Sequence, residues 1–120
     1  MGENREYIVR PDEKGSINIS EDVIAVIAGS AATEVDGVIG LSTVGGRDLP
    51  ISRKNLAKGV RVTAEDDNIT VDICVIVKSG TAINTVGRAV QDAVGAAIEA
   101  STGLTVIAVN VRVCGITAGK

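Results

Sequence analysis

A chain of 120 residues holds one domain, long enough to bury a core between two layers of secondary structure and too short for a second unit. It has no His, Trp or Phe, one Tyr and two Cys, so acid–base, nucleophilic and metal chemistry find few of the side chains they usually employ. With 12 basic against 15 acidic residues, the net charge of -3 gives no whole-molecule field that would draw polyanions, which argues against nucleic acid as a general partner.

Residues 1–14 are polar around a short apolar island, Tyr7-Ile8-Val9, and run into the turn-forming Pro11-Asp12-Glu13-Lys14-Gly15. They read as a polar tail or short leading strand ahead of a single α+β domain over residues 15–116. Glu3, Arg5, Glu6 and Arg10 interrupt any apolar signal core, and no later segment reaches the ~18 uninterrupted apolar residues of a membrane span. Ser16 to Ile19 alternates as a brief strand. Ser20 then offers a hydroxyl as N-cap, and Glu21 and Asp22 sit where a helix N-terminus favours negative charge. Val23, Ile24, Ile27, Ala28, Ala31 and Val35 recur at helical spacing, and Asp36-Gly37 supplies a left-handed stop, so a helix is predicted over about Glu21 to Asp36.

Val38 to Val44 is apolar and β-branched, predicting a short strand that passes through Gly45-Gly46-Arg47-Asp48-Leu49-Pro50 into an exposed loop reaching about Lys58. Beyond it, Val60, Val62 and Ala64 alternate with Arg61, Thr63 and Glu65; after Asp66-Asp67-Asn68, Ile69, Val71, Ile73, Val75 and Val77 alternate with Thr70, Asp72, Cys74, Ile76 and Lys78. This is a β-hairpin with one apolar face. Past Ser79-Gly80-Thr81, a second helix places Ile83, Val86, Val90, Ala93, Val94, Ala97 and Ile98 on one face and Asn84, Arg88, Gln91, Asp92 and Glu99 on the other. Thr102-Gly103 ends it. The strand from Leu104 to Val113 is apolar on both sides until Asn110 and Arg112, which predicts a strand that is central or covered by a partner.

These elements make a two-layer α+β sandwich, a mainly antiparallel sheet with two helices packed on one face. The last strand is expected beside the first strand of the hairpin, antiparallel to it, with a parallel neighbour as the alternative. The other face of the sheet then presents Arg61, Thr63, Thr70, Asp72, Cys74 and Ile76, together with one side of the final strand, a mixed surface with an apolar centre suited to self-association or to a partner protein.

Few constellations carry chemistry. The glycine-rich Gly37 to Gly46 lacks the Lys and Ser or Thr that a phosphate loop needs after its last glycine, since Arg47 and Asp48 follow. Arg47, Arg53, Lys54, Lys58 and Arg61 form the one local basic cluster, and Ile39-Gly40 resembles the start of the glycine loop of single-stranded RNA-binding KH modules. That loop should join helices and this one joins strands, and no aromatic platform stacks bases, so RNA binding through the basic loop is the alternative reading and a protein or anionic membrane surface the leading one. Asp66, Asp67 and Asn68 are consecutive, which suits a turn better than the alternate positions of a calcium loop. Cys74 and Cys114 have neither metal-knuckle spacing nor a His partner and predict buried, reduced thiols. No catalytic residue, cofactor or metal is expected.

Four stretches in order, Gly15 to Ile24, Ala31 to Val38, Lys58 to Val62, and Thr102-Gly103-Leu104-Thr105-Val106-Ile107-Ala108-Val109-Asn110-Val111-Arg112-Val113-Cys114-Gly115-Ile116, resemble the alkaline shock protein family of Gram-positive bacteria. The resemblance implies a non-enzymatic, cytoplasmic envelope or alkaline stress protein that works as a self-associating scaffold or adaptor, held near the membrane by an anchoring partner. Other branches imply a link to lipid metabolism. No catalytic residues come with the family.

Overall fold

A computed structural model describes residues 7–42, 59–66 and 68–117. In chain order they form β1 (Tyr7–Asp12), β2 (Gly15–Ser20), α1 (Glu21–Thr33), β3 (Val38–Leu41), β4 (Val60–Glu65), β5 (Asn68–Lys78), α2 (Ile83–Thr102) and β6 (Thr105–Thr117). The apolar island of the leader is thus a strand, paired antiparallel with β2 from Tyr7 opposite Ser20 to Asp12 opposite Gly15.

Local chemistry sets the helix ends. The Ser20 hydroxyl accepts the Val23 N–H at 3.2 Å, which satisfies one of the free donors at the start of α1. The helix stops at Thr33, short of the predicted Asp36, because the Glu34 and Val35 N–H groups turn to the carbonyls three residues back, Ala31 and Ala32, each at 3.2 Å. Gly37, at φ 98°, then reverses the chain into β3. At the far end of α2, Gly103 takes φ 76° and its N–H donates to the Glu99 carbonyl at 2.9 Å.

The stripe expected on α1 largely holds, with Ile24 and Ala28 buried and Ile27, Ala31 and Val35 packed partly buried against the core, but Val23 lies outside it. Ile24, Ala25, Ala28, Gly29 and Ala32 face inward, while Val23 and Val26 are each 49% exposed. Small side chains on that side let α1 approach its neighbours closely, so packing distance decided the rotation rather than side-chain size. On α2 the expected stripe holds at Val86, Val90, Val94 and Ile98, although Ile83 at its start is exposed.

β5 is the centre of the main sheet. β4 runs antiparallel along its first half, from Val60 opposite Ile73 to Glu65 opposite Asn68, and β3 runs antiparallel along its second half, from Val38 opposite Val77 to Leu41 opposite Val75. The Glu65–Asn68 pair closes a two-residue connection in which Asp66 takes φ 59°, the left-handed conformation that such hairpins require. On the other edge of β5 lies β6, in parallel register from Asn68 beside Thr105 to Lys78 beside Thr117. The leading expectation for the last strand, antiparallel beside β4, is therefore corrected in favour of the parallel alternative: among the described strands β6 pairs with β5 alone and lies at the edge rather than the centre. Helix length explains this. The 20 residues of α2 carry the chain back about 30 Å, close to the whole length of an 11-residue strand, so the chain re-enters the sheet at the end where β5 began.

Three of the four strand pairings are antiparallel, and the architecture is the α+β sandwich anticipated. Ile69, Val71, Ile73, Val75 and Val77 of β5 are buried beneath the helices with Ile24, Leu41, Val90, Val94, Ile98 and Leu104. Each of these side chains contributes about 1.5–3 kcal/mol by leaving water.

Candidate interaction surface

Because side chains alternate along a strand, burying the odd-numbered residues of β5 against the helices sends Thr70, Asp72, Cys74 and Ile76 to the opposite side. The register assembles that side row by row. Arg61 of β4 stands opposite Asp72, and Asp72 stands beside Asn110 of β6. The Asn110 side-chain amide donates to the Asp72 carboxylate at 2.8 Å, which holds the carboxylate in the plane of the row. In the next row Thr63, Thr70 and Ala108 lie side by side, and further along Arg112 lies beside Cys74. Ile76 lies between Gly40 on one side and Gly115 on the other, and Gly115 is so close that a Cβ there would touch Ile76 at 3.7 Å. The half-buried Ile76 therefore stands above flanks that have no side chains.

Arg61, Thr70, Asp72 and Ile76 are brought together on this face as anticipated. Cys74 is on the same side but only 3% exposed. It is flanked by Arg112, and by Ser42, whose N–H donates to the Cys74 carbonyl at 3.0 Å, so it belongs to the interior rather than to the surface. Neither cysteine is in a disulfide, but Cys114 is half-buried rather than buried, because the pairing of β5 with β6 is irregular beside it. Arg47, Arg53, Lys54 and Lys58 lie outside the described residues. Asn110 and Arg112 are the members of the face that sequence reasoning did not single out. Their polar interruption of the last strand was visible, but only the parallel register places them beside Asp72 and Cys74.

Among the described residues the face carries three cations, Arg61, Lys78 and Arg112, and two anions, Glu65 and Asp72, and Arg61 stands opposite Asp72 on the adjoining strand. Such a surface can meet a copy of itself in a rotated orientation with unlike charges opposed. Among the described residues, no group of three or more Cys, Asp and Glu side chains is placed to hold a metal ion. No described helix is long and apolar enough to cross a membrane.

Residues 9–118 match the alkaline shock protein 23 family, whose description is a cell envelope-related function. The protein YloU of Bacillus subtilis is 35% identical over 106 residues, covering 85% of this chain and 88% of its own. Spy1614 of Streptococcus pyogenes is 39% identical over 103 residues, covering 82% and 85% respectively. A stress response regulator gls24 homolog of Streptococcus pyogenes is 27% identical over 108 residues, and this chain spans 59% of its length. Among solved structures, the MamM CTD in its copper form superposes with a TM-score of 0.53 at 16% identity, covering 83% of this chain and 90% of that one, a likeness of fold alone. A family match over nearly the whole domain, in the order in which the four sequence stretches fall, leaves one conclusion: this chain belongs to the alkaline shock protein 23 family.

Proposed function

We propose that this chain is a non-enzymatic envelope stress protein that binds a second copy of itself through the side of its sheet opposite α1 and α2 and so forms a scaffold or adaptor. In this reading it works in the cytoplasm and is held near the membrane by a membrane-anchored or lipid-metabolic partner. The observation that supports it is the side of β5 that faces away from α1 and α2, where Ile76 rises between Gly40 and Gly115 next to a polar band of mixed charge. An apolar knob amid paired charges suits protein contact, in which the buried centre supplies affinity and the rim supplies orientation. A non-catalytic role is supported by the makeup of that face, whose described residues Arg61, Thr70, Asp72, Asn110 and Arg112 place no nucleophile beside a base.

Pull-down from the solubilised membranes of alkali-stressed Gram-positive cells tests this reading. It predicts recovery of untagged copies of the chain together with a membrane-anchored or lipid-metabolic protein. Recovery of RNA instead, with retention that falls steeply as salt rises, would transfer the function to the basic loop.

A further inference from the structure

We propose that the groove between the outer edge of β6 and α2 accepts an extended acidic segment of a partner protein as an added strand. The argument begins with the backbone. Val109, Val111 and Val113 lie beside Val71, Ile73 and Val75 in the parallel ladder. The Gln91 side-chain amide donates to the Val109 carbonyl at 3.1 Å from α2, so that carbonyl points away from β5. Strand periodicity gives Val111 and Val113 the same outward phase. Among the described strands, β6 pairs with β5 alone.

One half of this edge is already occupied. The Glu99 carboxylate accepts the Val106 N–H at 2.9 Å, and with Gln91 it covers the edge from Val106 to Val109, a device that keeps stray strands from pairing there. Beyond Val109, no described α2 side chain bonds to the outward backbone of Val111 or Val113. At that half the edge and the helix enclose a shallow groove of about 250 Å³, lined by Ile83, Gly87, Arg88, Gln91, Val111 and Val113. A strand laid on the free edge would direct every second side chain into this groove, with backbone hydrogen bonds supplying affinity and the pocketed side chains supplying selectivity.

Gly87 is informative here. Glycine is disfavoured inside a helix, yet a Cβ at Gly87 would meet nothing within 4 Å. The described packing does not require that glycine, as it does not require Gly95 of the same helix, but at Gly87 the missing side chain leaves the floor of the groove open to an occupant. Arg88 selects the occupant, since it is exposed and is the one charged residue lining the groove. A second copy pairing edge to edge about a two-fold axis would bring Arg88 toward its own image, which like charge opposes. An acidic segment meets it with the opposite sign. This site is separate from the reverse of the sheet, so variants at Gly87 and at Ile76 distinguish failure of this inference from failure of the proposed function.

The test is differential panning of a random heptapeptide phage library on the full chain and on its Gly87→Leu variant. Leu favours helix, and its Cβ enters open space, so the variant folds, as a thermal melt no lower than that of the wild type will verify. The expected result is enrichment on the wild type alone, of sequences that alternate apolar residues and carry Asp or Glu. The leading peptide, made synthetically, should shift the amide resonances of Val111 and Val113 and bind the Arg88→Ala variant about fivefold more weakly, the effect of losing one exposed charge pair. Equal enrichment on both chains, no enrichment on either, or selection of basic sequences overturns the proposal. Concentration-dependent protection of the Val111 and Val113 amides without peptide overturns it as well, by assigning the edge to a second copy.

Discussion

Two glycines that touch the same helix from different sides make opposite demands on a side chain. At Gly37 the backbone has φ 98°, and an added Cβ would lie 2.8 Å from Val86 Cγ2 and 2.9 Å from Thr81 Cγ2. Gly37→Ala is therefore expected to destabilise the fold by about 2 kcal/mol, through a strained dihedral and a clash with the start of α2. For a chain of this size that lowers the thermal midpoint by about 8 °C. Gly87→Ala, whose methyl meets open space, should instead raise stability by about 0.5–1 kcal/mol. Calorimetry on the two variants checks both signs, and a Gly37→Ala melt equal to wild type would contradict the packing described. Ser20→Ala removes the acceptor of the Val23 N–H and should cost about 1 kcal/mol in the same assay. The roles of Ser20, Gly37 and Gly103 were legible in the sequence because caps and left-handed stops are decided within a few residues. The burial expected of Cys74 holds, but the neighbours that flank it, Arg112 and Ser42, were not legible, because they reach it only through the register of distant strands.

The elements differ in how firmly they are tied to the core. β5 is paired along both edges and covered on one face by helices, so its backbone bonds open only when the domain unfolds. β1 and β2 form a two-stranded sheet of their own, with Ile8 and Ile19 as its apolar attachments to the core. A lone hairpin is marginal in water. Native-state hydrogen exchange should therefore find the β5 amides slowest and those of β1 and β2 faster by at least about a hundredfold, the ratio for an opening free energy some 3 kcal/mol lower. Exchange of the leading hairpin at the β5 rate would show that it is part of the main cooperative unit. The β4–β5 hairpin and α2 were legible because each repeats one clear period over many residues. The site of β6 was not: an apolar strand can enter on either side of a hairpin, and the deciding quantity, the 30 Å travelled by 20 residues of α2, emerges only when helix and strand lengths are compared. On α1 the stripe was legible apart from Val23, which is exposed, and the small residues that extend the buried side. Valine outranks alanine in hydrophobicity, yet Ala25, Ala28, Gly29 and Ala32 pack inward where a close approach favours small side chains.

At the scale of the whole molecule, α1 and α2 pack on one face of the main sheet, and among the described residues no helix packs on the other. The residues there were mostly legible from alternation alone: Arg61, Thr70, Asp72 and Ile76 share the face. What alternation could not supply was the neighbourhood of each, the Asp72–Asn110 hydrogen bond and the glycines on both sides of Ile76. Those neighbours turn a list of exposed positions into a surface that a second copy can fit. Ile76→Lys places a charge at its centre while leaving the helix-side core untouched. Sedimentation velocity of the wild-type chain and of Ile76→Lys over a wide range of concentration tests the claim most directly: the wild type should shift to larger species as concentration rises, and the variant should remain a folded monomer throughout. A wild-type chain that stays monomeric at the highest concentration, or a variant that associates as strongly as the wild type, would contradict it.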